Sequence, residues 1–393
     1  MALSLAKGKT MKHSEIKKLQ ADGFITSEQC SQIIERYGLK EDGGRFLAII
    51  STIGSVLVAA GIILLVSAHW DEIPRAVKIA LGLLLMLGAH GGALWVGGEG
   101  RGYHKTEEAL HLLGSGLFLA NIALVGQIYN LSSHPPNAIL IWLAGIVALP
   151  WILRSKAQHL LVLLGLGVWF AWETSDRTGV LYLGESGNQI PALALLGLSY
   201  LGFGYCLRAS GFAEFSPATE SIGLLAFQMF AYPLTLEFWR SAADHGSGLS
   251  GFVIPVMSLV ALGLLALGTS RLRGLSRQWR WTWGLALAAA IALLAGYPYR
   301  ERDWGCQWFA TLALFVISLL QIHVGLDERS ASYVNLGVAF VALHIISTYF
   351  RLVYTMGTTG LMFVVSGLFL IIFGVFLEKK RRTLMRAIKT NAP

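Results

Sequence analysis

Charge is what this chain has least of. Asp, Glu, Lys and Arg make up 14% of its 393 residues, while 54% are hydrophobic. An ordinary soluble domain carries roughly 25% charged residues, and a water-soluble fold with so few could not cover its own surface. Cysteine is scarce too. Cys30, Cys206 and Cys306 fall singly, which speaks against a disulfide framework or a cysteine zinc site and leaves them as small apolar filler. There is no P-loop, dinucleotide fingerprint, HExxH or paired-aspartate protease motif, so no cofactor is expected. No apolar run precedes Phe46; with no cleavable signal peptide in view, the first span is expected to remain as an anchor.

What is present is one hydrophobic run after another, with a mean hydropathy of +0.59. Twelve segments read as helices: 46–68, 76–97, 107–129, 137–153, 157–172, 189–207, 218–239, 249–269, 280–298, 304–324, 331–350 and 358–378. A crossing needs roughly 20 apolar residues. The pair 137–153 and 157–172 is short, and would have to thin the bilayer locally or form a re-entrant unit. The expected fold class is all-α, a polytopic integral membrane bundle of about 12 transmembrane helices.

Three regions follow: a cytoplasmic helical hairpin over residues 1–45, a transmembrane domain over 46–378 and a basic tail over 379–393. In the hairpin, Asp22-Gly23 marks a turn, and Thr26 followed by Gln29 forms a capping box that opens a helix toward Tyr37. Ile33, Ile34 and Tyr37 are expected to pack on Ile16, Leu19 and Phe24.

The net charge of +8 reflects topology rather than nucleic-acid binding, because the cations sit between apolar runs. With the N-terminus inside, 24 Lys and Arg fall on the cytoplasmic side and seven opposite. The expected location is the bacterial inner membrane, with both termini cytoplasmic. Trp70, Trp142, Trp169, Trp172, Trp239, Trp304 and Trp308 fall toward the outer ends of spans and the other five tryptophans toward the inner ends, as interfacial belts do.

Polar residues inside the spans are the candidates for function, since they are costly there. On the third span Glu107, His111, Gly114, Phe118 and Asn121 share one face, and Gln127, Tyr129 and Asn130 close its far end. The seventh carries Gln228 and Glu237; the eleventh repeats Gly337, His344 and Arg351 at steps of seven. Each has a plainer reading. Asn121 beside Gly114 can be helix–helix glue, His344 a hydrogen-bonded core histidine, Arg351 a snorkelling anchor and Glu237 an interfacial residue. His69, Asp71 and Glu72 read as an interfacial turn around Trp70, not a metal site. Gly88/Gly92, Gly54/Gly61 and Gly367/Gly374 read as packing surfaces. Gly248-Leu249-Ser250-Gly251 matches the GxSG of intramembrane serine proteases, but four residues in a Gly/Ser-rich loop match by coincidence, and no enzyme is expected.

Several stretches resemble a family of predicted bacterial membrane proteins, the domain-of-unknown-function family 2157. They are DGFITSEQ…IIERYG, the first span ending in SAHWDEIP, and LVGQIYN with the tryptophan-bearing helix after it, together covering residues 14–170. Where the family commonly shows Asn before that loop's Trp, this chain has His69. The resemblance implies a multi-span membrane protein and brings no activity or ligand. The leading expectation is a polar path for a small solute or ion between spans 3, 7 and 11, through His111, Asn121, Gln127, Gln228, His344 and Arg351. The alternative is a non-transporting scaffold that recruits a cytoplasmic protein through residues 1–45, or anionic lipid through its basic tail.

Overall fold

The computed structural model describes residues 20, 22–37, 72–98, 104–131, 134–183, 188–236, 251–272, 274–296 and 304–354, with single positions between 364 and 379. The expected first span 46–68, the His69–Asp71 turn, Glu237, the GxSG string and the basic tail lie outside the described residues, as does nearly all of span 358–378. The chain divides into two compact units, residues 1–78 and 79–393.

In the first unit, α1 (Ser27–Tyr37) opens on the expected capping box. Thr26 N–H donates to Gln29 Oε1 at 3.0 Å, and Gln29 N–H to Thr26 Oγ1 at 3.3 Å. Gly23 turns the chain at φ +77°, a conformation that favours glycine. Phe24, expected to pack beneath this helix, is instead 76% exposed.

The described residues contain no strand. Helix α2 (Arg75–Gly97) carries the chain into the second unit. There follow α3 (His104–Ile128), α4 (Pro136–Ile146), α5 (Leu149–Leu153) and α6 (Lys156–Ser175). Then come α7 (Gln189–Leu207), α8 (Ser216–Ala231), α9 (Val253–Thr269), α10 (Arg277–Gly296), α11 (Trp304–Asp327) and α12 (Ala331–Tyr354). Among the described residues seven helical stretches are long and apolar enough to cross a membrane: α2, α3, α4–α5 together, α7, α10, α11 and α12.

Two expected spans are remodelled by proline. Segment 137–153 breaks at Val147-Ala148, ahead of Pro150 in the first turn of α5, because proline cannot donate to the carbonyl four residues back. Segment 218–239 leaves the α-helix at Ala231 and passes into a 3₁₀ turn, Tyr232–Thr235, that holds Pro233.

Helix α7 is hydrophobic all round and buried along most of its length, as such a helix must be. Its glycines let neighbours approach to backbone contact. A methyl on Gly197 would lie 2.8 Å from both Gly223 O and Phe227 Cα of α8; one on Gly202 would lie 2.8 Å from Leu264 of α9. The expected packing glycine Gly88 has nothing within 4 Å, nor have Gly367 and Gly374. Two tryptophans assigned to the belts are core residues instead: Trp142 donates to Ser115 O at 2.7 Å and Trp283 to Tyr205 Oη at 3.0 Å. An indole inside hydrocarbon needs an acceptor, and each found one on a neighbouring helix.

Candidate functional site

Helices α8, α11 and α12 enclose a seam of polar side chains. The turn between α11 and α12 is tight: Arg329 is left-handed at φ 54° and Ser330 N–H closes on Gly325 O at 2.8 Å. This reverses the chain and lays α12 back along α11. Gly337 fixes the approach, since a methyl there would lie 2.6 Å from Ile322 Cγ1 and 3.0 Å from Ser318 O.

The seam begins at an ionic knot. Arg208, capping α7, donates from Nε to Glu220 Oε1 and from Nη2 to Glu220 Oε2, each at 2.7 Å, and from Nη1 to Glu328. Burial opposes the guanidinium charge, but the two carboxylates outweigh it and hold the Arg208 pKa above its ordinary value. Glu220 also accepts from Ser216 Oγ at 2.6 Å and from Tyr333 Oη at 2.7 Å. The Tyr333 and Tyr205 hydroxyls are hydrogen-bonded at 3.0 Å. With Glu220, Tyr205 and Tyr333 buried and Arg208 bonded through all three of its nitrogens, such a group is a rigid anchor.

Deeper along α12, Gln321 Nε2 donates to Tyr333 O at 3.0 Å, and Gln228 Nε2 donates to Gln321 Oε1. His344 follows. Its Nδ1 is 2.7 Å from Phe340 O, with the Tyr232 ring edge-on at 5.2 Å. A carbonyl only accepts, so Nδ1 carries the proton and Nε2 is left as the proton-accepting nitrogen. Arg351 closes the seam. It donates to Thr235 O at 2.8 Å and Thr311 Oγ1 at 3.2 Å, and lies 4.8 Å over the Trp308 ring. The expected snorkelling anchor is therefore turned inward, because Thr235 ends its 3₁₀ turn with a carbonyl that needs a donor. Among the described residues, three buried polar atoms on this seam find no hydrogen-bond partner: Gln228 Oε1, His344 Nε2 and Arg351 Nε. From Tyr333 to Arg351 the helix rises roughly 27 Å at 1.5 Å per residue, close to the ~30 Å of a bilayer's hydrocarbon.

His111 and Asn121 form a second polar group, on α3 against α2. Asn121 Nδ2 donates to Gly82 O at 3.0 Å and to Leu117 O at 2.8 Å, which ties the two helices. His111 and His90 meet Nδ1 to Nδ1 at 3.0 Å beside Gly114, and the buried His111 Nε2 finds no hydrogen-bond partner among the described residues. Nearby, a cavity of about 250 Å³ is lined by Glu107, Glu108, His111, Arg154 and Ser155. Ser155 caps α6, its Oγ accepting from Gln158 N–H, and donates to Glu108 at 2.7 Å; Gln158 in turn accepts from Ser115 Oγ at 3.1 Å. Gln127 is exposed in the last turn of α3, away from both groups.

Of the six sequence-chosen residues, Gln228, His344 and Arg351 thus share one seam, and His111 and Asn121 share another place. Arg208, Glu220, Glu328, Tyr333, Gln321 and His90 were missed. Gln321 and His90 carried the same signal as those chosen, a polar residue within an apolar run. Arg208 was absorbed into the count of loop cations, and Glu220 and Glu328 sit near helix ends, where a carboxylate has an unremarkable interfacial reading.

The seven apolar stretches and the buried polar seam define an α-helical, multi-span membrane protein. Residues 17–159 match a family of predicted membrane proteins of unknown function, DUF2157. No curated protein and no solved structure matches the chain.

Proposed function

We propose that the protein binds a small solute or ion and passes it across the membrane along the seam between α8, α11 and α12, with His344 as the proton-exchanging group. What supports this is the spacing of Gln228 Oε1, His344 Nε2 and Arg351 Nε, unpartnered and buried along that seam. Leaving such atoms unpaired is costly in a low-dielectric interior; a passing proton or cation supplies a partner to the acceptors Gln228 Oε1 and His344 Nε2, and a passing anion or hydrogen-bond acceptor supplies one to the Arg351 Nε–H. The α3 cavity, walled by Glu107, Glu108, His111, Arg154 and Ser155, offers both hydrogen-bond donors and acceptors to a small polar solute. Within this reading the bundle crosses a bacterial inner membrane about twelve times, with residues 1–45 as a hairpin and both termini cytoplasmic.

The test is thermal stability of the detergent-purified protein against ions, amino acids, sugars and nucleotides at pH 5.5 and 7.5. A ligand of the native state raises apparent stability by mass action. A shift that one solute causes, and that His344→Ala removes, supports the path. If nothing but lipid stabilises the protein and His344→Ala behaves as wild type, a scaffold becomes the better account.

A further inference from the structure

Outside the seam, α9 and α10 leave an open groove of about 470 Å³ between them. Its walls are apolar along most of its length, with Leu262 and Ala266 from α9 and Leu285 from α10. One end is different. There Thr269, at the end of α9, meets Arg277 and Arg280 in the first turn of α10. Arg280 Nη1 reaches the α9 carbonyl of Ser270 at 3.3 Å, which holds its guanidinium at the mouth of the groove, while Arg277 is exposed. Among the described residues no carboxylate lines the groove. Trp281 stands at the same level, 65% exposed, where an amphipathic ring marks a membrane interface.

We propose that this groove is a binding site for an anionic phospholipid. An acyl chain lies along Leu262, Ala266 and Leu285, and the phosphodiester is held by Arg277 and Arg280. The charge pattern selects this occupant. A second apolar helix would leave both guanidiniums facing hydrocarbon, and a zwitterionic lipid would bring its own cation to them. Basic pockets between helices at the membrane surface recognise anionic headgroups in this way, each arginine contributing on the order of 1 kcal/mol, or about fivefold in affinity. This site is independent of the transport path and stands or falls without it.

The test is native mass spectrometry of the full chain released from mixed phosphatidylglycerol and phosphatidylcholine micelles. Wild type should retain phosphatidylglycerol preferentially. Arg277→Gln with Arg280→Gln should lower that preference by about 25-fold, the product of two fivefold losses. Ala266→Trp fills the apolar part without touching charge, and should remove the retained lipid altogether. Equal retention of both lipids by wild type overturns the proposal, as does a preference that survives the double arginine change. Helical content by circular dichroism identifies any variant that has lost its fold, and the Ala266→Trp protein then decides the matter alone.

Discussion

Replacing Glu220 by Gln is the sharpest perturbation of the knot that anchors the seam. Glu220 Oε1 accepts from Arg208 Nε and Ser216 Oγ, and Oε2 from Arg208 Nη2 and Tyr333 Oη, four bonds between 2.6 and 2.7 Å. An amide has one oxygen and one NH₂. Whichever way it is turned, its NH₂ leaves one Arg208 N–H facing another donor and forces one hydroxyl, Ser216 or Tyr333, to turn and accept, and Arg208 keeps a single carboxylate, Glu328. Each bond to a charged group is worth about 1.5–3 kcal/mol, and breaking a buried ion pair costs about 3–5 kcal/mol, so a loss of about 3–5 kcal/mol is expected. Equilibrium unfolding in mixed micelles should record it. Tyr333→Phe, which removes one of the four donors, should cost about 1–3 kcal/mol. The two losses should not add, because Tyr333 bonds the very carboxylate that Glu220→Gln alters. A Glu220→Gln protein as stable as wild type, or strict additivity with Tyr333→Phe, would refute the reasoning.

Gly197→Ala should destabilise by about 1–3 kcal/mol through overpacking, because its methyl meets the backbone of α8; the same change at Gly88, which faces open space, should leave the unfolding midpoint near wild type. Arg351→Lys keeps the charge but cannot reach Thr235 O and Thr311 Oγ1 together, so hydrogen exchange should show the Tyr232–Thr235 turn opening more readily. Asp176 is held below the ordinary carboxylate range by the Thr178 backbone N–H and hydroxyl, with His134 adding to the effect. A carboxyl with a depressed folded pKa stabilises fully above its unfolded value of about 4 and loses that contribution as pH falls through the folded value. The advantage of wild type over Asp176→Asn should therefore be constant near neutrality and vanish in acid, and an advantage unchanged at pH 2 would contradict the assignment.

Helix identity was legible because apolar runs long enough to span a bilayer have few alternatives. The capping box at Thr26 and Gln29 was legible because it is local. What the sequence hid was rotation about each helix axis and partner choice. Trp142 and Trp283 look like belt residues until neighbouring acceptors draw them inside. Arg351 looks like an anchor until the carbonyl of Thr235, freed by the turn at Pro233, draws it inward. Glycine spacing was only a partial guide: a Cβ on Gly88 would meet open space and one on Gly92 an ordinary contact with Leu110, while Gly197 and Gly202, where α7 is surrounded, lie against neighbouring backbone. The knot of Arg208, Glu220 and Glu328 joins positions over a hundred residues apart, and no periodicity reports that.

The most direct measurement of the central claim is proton movement into proteoliposomes carrying an internal pH dye, under an imposed pH gradient. His344→Gln retains a side chain that can donate to Phe340 O but cannot take up a proton. Wild type should collapse the gradient faster than protein-free vesicles, and His344→Gln, inserted and folded to the same extent, should not. Equal rates for the two proteins, or a wild type no faster than empty vesicles, would contradict a path through the seam of α8, α11 and α12.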